Sequence, residues 1–168
     1  RDNNKLKVVI GKVEKMSKEI GQDLDPLGIR TDNTGTSTLT LNRPKSYNAL
    51  SQSLMSELQT HLDNLRIDRS IIVVVIKGAG PGFSAGHDLK EMQNDKNEVF
   101  FRNFFEQCST LMQSIIKLPQ PVIAQIHGTA AAAGCQLVAT CDLAIASTTA
   151  KFATPGVNIG LFCSTPMV

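Results

Sequence analysis

Polar and apolar residues follow one another along the chain with two periods, one typical of strands and the other of helices. Thr36 to Leu41 has the two-residue period of a strand, and Asn33-Thr34-Gly35 before it predicts a turn, so we expect the first sheet to start here. Ile71 to Ile76 is apolar on both faces, which predicts a strand covered on both sides, and this strand runs to Lys77. Further strands are predicted at Val122 to Ile126 and Leu143 to Ala146.

Helical spacing appears in the stretches between these strands. Ser51 is a predicted N-cap for the first helix, and the last predicted helix spans Gly134 to Thr140. The apolar stripes of the first two helices are Leu50, Leu54, Leu58, Leu62 and Leu65, and then Phe100, Phe101, Phe104, Phe105, Leu111, Met112, Ile115 and Ile116. The alternation of helix and strand predicts an α/β fold.

The length of 168 residues is enough for one domain with a substantial core. We divide the chain into a polar, flexible leader over residues 1 to 30 and a folded core over residues 31 to 168. The basic stretch from Lys5 to Ile20 resembles the remnant of a mitochondrial transit peptide, although Glu14 and Glu19 oppose that interpretation. The sequence from Cys163 to Val168 closes no regular element, so we expect the core to be incomplete at this end.

Composition excludes several classes of function. A net charge of +2, with no clustering of basic and aromatic residues, argues against a nucleic-acid partner. No apolar run is long enough for a membrane span. Four irregularly spaced cysteines without a CxxC pair argue against a metal site, and neither a dinucleotide-binding nor a P-loop glycine pattern is present. We therefore expect no metal and no separate cofactor.

A glycine-rich turn, Gly78 to Gly82, follows the predicted strand at Ile71 and leads into Phe83 to Met92, where a helical stretch begins. Small residues bring the backbone to the surface, and free N–H groups at a helix start favour negative charge. The segment predicts an anion or oxyanion site. Taken alone, a purely structural turn explains it equally well.

A second segment, Gly128 to Leu137, repeats the arrangement of strand, small residues and helix. Two such turns can each direct one N–H at the same oxygen and so form an oxyanion hole. The alternative is that Ala130 to Gly134 is only a closely packed helix start.

Over roughly Gly28 to Pro166 the chain resembles the crotonase (enoyl-CoA hydratase/isomerase) superfamily. The resemblance rests on Leu41-Asn42-Arg43-Pro44 with Asn48-Ala49-Leu50, on Phe83 to Leu89, on His127 to Leu137 with Cys141 to Ala146, and on Phe152 to Gly160. It implies a repeated ββα spiral that binds an acyl-CoA thioester. It further implies homotrimers or dimers of trimers that assemble through C-terminal helices, and this sequence ends before those helices.

The resemblance also implies the roles of particular residues. The backbone N–H groups of His87 and Ala133 would form the oxyanion hole. Coenzyme A would enter as part of the substrate, with its nucleotide near the loop from Arg43 to Ala49 and its thioester near His87 to Lys90. The implied substrate-binding residues are Arg43, Lys45, Asn48, Ala49, Ser84, Ala85, Gly86, Asp88, Leu89, Lys90 and Gly134.

Two catalytic carboxylates of the hydratases are missing from this sequence. The resemblance implies that the family's glutamates correspond to Gln136 and Gly156. The glutamine amide cannot transfer a proton, and glycine has no side chain. General acid-base catalysis contributes roughly 10² to 10⁴ per group, so the usual hydration route should be weak. His87 titrates near neutral pH in its free form, but we also consider it as a neutral, hydrogen-bonded residue that contributes only its N–H. Asp88 is expected to cap the following turn.

Three functions remain open on the sequence. The first is an acyl-CoA enzyme of fatty acid metabolism that stabilises a thioester enolate, in the hydratase, isomerase, decarboxylase or hydrolase range. The second is a non-catalytic acyl-CoA-binding or regulatory protein that retains the pocket without the acid-base pair. The third is a truncated product with an incomplete pocket.

Overall fold

Parallel strands and the helices that cover them form most of the residues that the structure describes, as the alternating pattern predicts. A computed structural model describes residues 25–94 and 97–160. In chain order the strands and helices are β1 Leu27–Thr31, β2 Thr36–Leu41, α1 Gln52–Ile67, β3 Val73–Gly78, α2 Leu89–Asn94, α3 Glu98–Ile116, β4 Val122–Ile126, β5 Thr129–Ala131, α4 Ala133–Thr140, β6 Leu143–Ala146 and β7 Lys151–Ala153. Two 3₁₀ turns lie at Pro44–Ser46 and Pro155–Ile159.

Five of the strands form one mixed sheet in the order β1-β2-β3-β4-β6. Strand β1 is antiparallel to β2, and the other neighbours are parallel. Strands β5 and β7 form a separate parallel pair. The carboxyl ends of β2, β3 and β4 lie at one edge of the sheet, where ligand sites of open α/β sheets are usually found.

The sheet begins earlier than the sequence pattern predicts. Leu27 pairs with Leu41 and Thr31 with Ser37, so residues 27 to 30 belong to a strand and not to a flexible leader. The Asp32 carboxylate accepts hydrogen bonds from the N–H groups of Thr34 and Thr36 and so closes the hairpin. Because only Leu27 of the five β1 residues is buried, this edge strand has no alternating pattern to reveal it. The rest of the proposed leader lies outside the described residues.

The core lies between the sheet and the pair α1 and α3. Ser51 caps α1 as predicted, since its Oγ accepts a hydrogen bond from the Leu54 N–H at 3.2 Å. The largest fully buried side chains include Phe83, Phe104, Leu39, Leu41, Leu54, Leu58, Ile76, Leu111 and Met112. Strand β3 is less covered than predicted, because only alternate residues such as Val74 and Ile76 are fully buried. Among the described residues no helix is long and apolar enough to cross a bilayer.

Candidate active site

The two small-residue turns meet at the edge of the sheet. The Ala131 N–H donates to the Ser84 carbonyl at 2.8 Å, and Ser84 and Ala130 form an isolated parallel bridge. Gly86 has a φ of +94°, and a Cβ built on it would lie 2.9 Å from the Ala132 Cβ and 3.0 Å from the Ala133 nitrogen. Only glycine adopts this conformation and permits this approach without strain. Gly86 therefore allows the first turn to touch the start of α4.

Gly134 brings α4 equally close from the other side. A Cβ at this position would lie 2.4 Å from the Ser84 carbonyl oxygen and 2.8 Å from the Ser84 Oγ. Ser84 itself is fixed, because its Oγ donates to the Asn48 carbonyl at 2.9 Å and accepts from the Gly86 N–H at 3.2 Å. The contact between the turns thus depends on a glycine on each side.

Two backbone donors at this contact have no acceptor. Within residues 25–94 and 97–160, neither the His87 N–H nor the Ala133 N–H makes a hydrogen bond. Ala133 is the first residue of α4 and is 3% exposed, so its N–H is a buried donor at a helix start. Ala132 before it has φ +48° and ψ −124°, a conformation that costs an alanine about 1–3 kcal/mol.

The His87 side chain packs against the aromatic stripe of α3. Its ring meets those of Phe104 and Phe105 edge-on, with centroid distances of 5.0 and 5.5 Å. Burial lowers the pKa of His87 to about 4, so the imidazole is neutral at physiological pH. A neutral, hydrogen-bonded imidazole is one of the two expectations for His87; the imidazole is neutral, but its buried Nδ1 has no partner among the described residues.

Asn48 holds the loop from Arg43 to Ala49 in place. It is fully buried with a φ of +53°, and its Nδ2 donates to the carbonyls of Ala79 and Gly82 at 2.8 and 2.9 Å. Its Oδ1 accepts from the Arg43 N–H at 2.9 Å. Through these three hydrogen bonds, the Asn48 side chain connects the loop to the glycine turn after β3.

Arg43 and Asp88 form a short ion pair across the site. Arg43 Nη2 lies 2.9 Å from Asp88 Oδ2, while Nη1 donates to the Ala49 carbonyl at 2.7 Å. Asp88 also caps α2 as predicted, because its Oδ1 accepts from the Lys90 N–H at 3.1 Å. Beside this pair lies a cleft of about 400 Å³. Its lining residues are Pro26, Asn42, Arg43, Lys45, Ser46 and Ser53.

The remaining predicted residues divide between the interior and the surface. Ala85, Leu89 and Lys90 are exposed, whereas Ala49 and Gly134 are buried. Gln136 is 3% exposed, and its amide makes no hydrogen bond to the described part of the chain. Gly156 lies in the 3₁₀ turn after β7 and is buried.

Sequence reasoning missed two residues that build the site. Leu50 forms hydrogen bonds to the residues on both sides of His87. Its N–H donates to the Gly86 carbonyl at 2.7 Å, and its carbonyl accepts from the Asp88 N–H at 3.2 Å. Ala132 orients the first turn of α4 through its positive φ. The sequence does not indicate either role. A leucine predicts only that the residue is buried, and an alanine predicts a helical conformation and not a positive φ.

Two cysteine thiols are shielded from solvent. Burial raises the pKa of the Cys108 and Cys141 thiols to about 12. Across the described ranges, no group of three or more histidine, cysteine, aspartate or glutamate side chains is arranged to hold a metal ion.

The mixed sheet, with its small-residue turns gathered at the carboxyl ends of parallel strands, is the crotonase type of α/β protein. The chain belongs to the enoyl-CoA hydratase/isomerase family, whose sequence pattern matches residues 31–167.

Similar relatives include enoyl-CoA hydratase domain-containing protein 3, mitochondrial, from two vertebrates. The Danio rerio protein is 43% identical over 94% of this chain and 55% of the relative. The Homo sapiens protein is 47% identical over 80% of this chain and 44% of the relative. The chain thus spans about half the length of these relatives.

Solved structures agree with this assignment. An enoyl-CoA hydratase from Mycobacterium smegmatis superposes with a TM-score of 0.81 at 47% identity, covering 83% of this chain and 54% of that one. The human enoyl-CoA hydratase domain-containing protein 3 gives 0.79 at 44% identity, covering 84% and 55%.

Proposed function

We propose that this chain binds an acyl-CoA thioester and that the N–H groups of His87 and Ala133 receive its carbonyl oxygen. The observation that carries the proposal is the pair of unpaired backbone donors at the contact of Gly86 with Ala133. The names of its relatives, which are enoyl-CoA hydratases, support the substrate class. By the same resemblance we propose a mitochondrial location.

The chemistry such donors favour is formation of an enolate. When a proton leaves the α carbon of a thioester, or a nucleophile adds to the β carbon of its enoyl form, negative charge develops on the carbonyl oxygen. Donors fixed in advance stabilise this charge more than they stabilise the neutral carbonyl. Because the donors belong to the backbone, they hold their positions whatever the side chain at residue 87.

The cleft beside Arg43 fits the other end of the ligand. It has two basic residues, Arg43 and Lys45, and lies next to the turn that holds His87. We propose that the phosphates of coenzyme A bind at this cleft, with the pantetheine directed past the exposed Ala85 and Leu89.

A non-catalytic acyl-CoA-binding protein is the second candidate, and Gln136 favours it. If the family's proton-transferring glutamates correspond to Gln136 and Gly156, as the resemblance implies, one position here holds a buried neutral amide and the other has no side chain. An amide can orient a water or a ligand but cannot act as a base.

The proposal is tested by removing one donor atom. Replacing Ala133 with lactate by α-hydroxy acid incorporation in the full-length protein converts its N–H to an ester oxygen and leaves the methyl group. If the protein is an enzyme, we expect turnover of crotonyl-, 3-enoyl- or malonyl-type thioesters to fall about 10²- to 10³-fold. The same replacement at Ala150, whose N–H donates to the Ser147 carbonyl in a turn, is the control and should leave turnover unchanged.

Calorimetric titration with a panel of acyl-CoAs separates the two candidates. Binding without turnover, weakened by the ester at Ala133, supports the non-catalytic protein. Turnover that survives stringent purification and is lost with the ester supports the enzyme. If the full-length protein binds no acyl-CoA, both candidates are wrong.

A further inference from the structure

A continuous run of hydrogen bonds joins the Arg43 guanidinium to the His87 N–H through two peptide groups. Arg43 Nη1 donates to the Ala49 carbonyl at 2.7 Å. The same peptide group carries the Leu50 N–H, which donates to the Gly86 carbonyl, also at 2.7 Å. The Gly86 carbonyl in turn shares its peptide group with the His87 N–H, the unpaired donor of the site.

All the bonds in this run point in the same direction. A peptide group that accepts a hydrogen bond at its oxygen becomes a stronger donor at its nitrogen, by an amount on the order of 10–30% per bond. The run starts from a cation, whose hydrogen bonds are about twice as strong as neutral ones. The effect accumulates at the open end, which is the His87 N–H.

Asp88 pairs with the other nitrogen of the guanidinium and adds support to the position that the bond to Ala49 gives it. Its carboxylate lies 2.9 Å from Arg43 Nη2, and the two side chains are only 23% and 10% exposed. Its own N–H donates to the Leu50 carbonyl at 3.2 Å, so the turn is held on both sides of His87. Screening by solvent makes most surface ion pairs weak, and the low exposure of this pair limits that screening.

We infer that Arg43 is a positioning residue for the His87 N–H, which it orients and polarises through the Ala49–Leu50 and Gly86–His87 peptide groups. The inference rests on the proposed binding of a thioester oxygen at that N–H. Arg43 thus acts on the thioester oxygen indirectly, through these two peptide groups, in addition to lining the cleft.

The experiment measures the carbonyl itself. Butyryl-CoA labelled with ¹³C at the thioester carbonyl is bound to the full-length protein, and its carbonyl stretch is followed by difference infrared spectroscopy. In the wild type we expect the stretch to move to lower frequency than in free butyryl-CoA. In Arg43→Met we expect a smaller shift and roughly tenfold weaker binding, the loss typical of one charge-assisted hydrogen bond.

Three further variants separate polarisation from general support of the fold. Arg102→Met is the matched control, because Arg102 pairs with Glu98 at the same distance of 2.9 Å but on the exposed surface, and it should keep the full shift. Asp88→Asn keeps the cation and its bond to the Ala49 carbonyl, so it should keep more of the shift than Arg43→Met does. Arg43→Lys, which serves if Arg43→Met does not fold, should lose part of the shift because one ammonium cannot reach both acceptors.

The inference is overturned if folded Arg43→Met and Arg43→Lys both keep the wild-type frequency, or if Asp88→Asn loses as much of the shift as Arg43→Met. A wild-type protein that binds butyryl-CoA with no shift is a different result. It contradicts the proposed contact of the thioester with the His87 and Ala133 donors and not only the part assigned to Arg43.

Discussion

Substitution of Gly134 by alanine should separate the two turns of the candidate site. Gly134 is the second residue of α4, where alanine would ordinarily strengthen a helix by up to about 1 kcal/mol. Here the added methyl would lie 2.4 Å from the Ser84 carbonyl oxygen. The steric contact opposes the helical preference, and its size decides the outcome.

The required movement follows from the contact distances. Ordinary contact begins at 3.4 Å, so the Ser84 backbone or α4 must retreat by about 1 Å. Ser84 cannot yield easily, because its carbonyl accepts from the Ala131 N–H and its Oγ is held by Asn48 and Gly86. Overpacking of this kind costs about 1–3 kcal/mol, so we expect a net loss of about 1–2 kcal/mol in the free energy of unfolding.

The effect on ligand binding should exceed the effect on stability. A displacement of about 1 Å between positioned groups can cost about 10² in rate, because hydrogen bonds to the developing charge no longer align. The assay combines urea unfolding with calorimetric titration of an acyl-CoA, at temperatures where the variant is folded. Gly28→Ala is the control, because its methyl would meet Thr40 Cβ at 3.5 Å, an ordinary contact. If Gly134→Ala matches the wild type in both measurements, the proposed dependence of the site on this glycine is wrong.

Three further predictions concern single buried side chains. The pKa of His87 falls from 6.5 to about 4 on folding, so the unfolded chain binds a proton at a higher pH than the folded chain does. The free energy of unfolding should therefore decrease as the pH is lowered from 6.5 towards 4. In urea titrations, His87→Phe should reduce this pH dependence to the part that His61 contributes, since the pKa of His61 is also lowered. Asn48→Ala leaves three backbone groups without their partner and should cost about 2–4 kcal/mol in urea unfolding, whereas Asn42→Ala, which removes one exposed hydrogen bond, should cost less than about 1. Gln136→Glu buries a carboxyl group, so this variant should be less stable at pH 8 than at pH 5 relative to wild type; equal stability differences at the two pH values would contradict the burial of the side chain.

Periodicity was sufficient to predict the elements that bury a continuous stripe. The stripe from Phe100 to Ile116 predicts α3, and the apolar run from Val122 predicts β4 at the observed residues. The edge strand β1 and the three-residue strands β5 and β7 were not predicted. Strands β5 and β7 pair with each other across α4 and β6, and β1 is a mostly exposed edge strand. Short or exposed strands bury too little to impose a pattern.

The meeting of the two turns was predictable from the sequence, but the contacts inside the candidate site were not. Small residues before Gly86 and Gly134 indicate where the backbone comes close to another group. They do not indicate that the Arg43 guanidinium faces Asp88, nor that Ala132 takes a positive φ. Those features arise from tertiary contacts, and no local propensity of arginine or alanine encodes them.

The folded chain bears two energetic costs at one place, and a bound oxygen would remove one of them. The buried Ala133 N–H without an acceptor costs about 1–3 kcal/mol, and the strained Ala132 costs a similar amount. A ligand oxygen that accepts from both free donors removes the cost of the unpaired Ala133 N–H, and it binds to the orientation that the strained Ala132 gives this N–H. Acyl-CoA binding should therefore raise the free energy of unfolding by linkage. A carbonyl and an enolate differ in how much they gain from these donors, because only the enolate oxygen carries a full charge. The comparison of their affinities, rather than binding alone, therefore distinguishes a site adapted to catalysis from one adapted to storage or sensing.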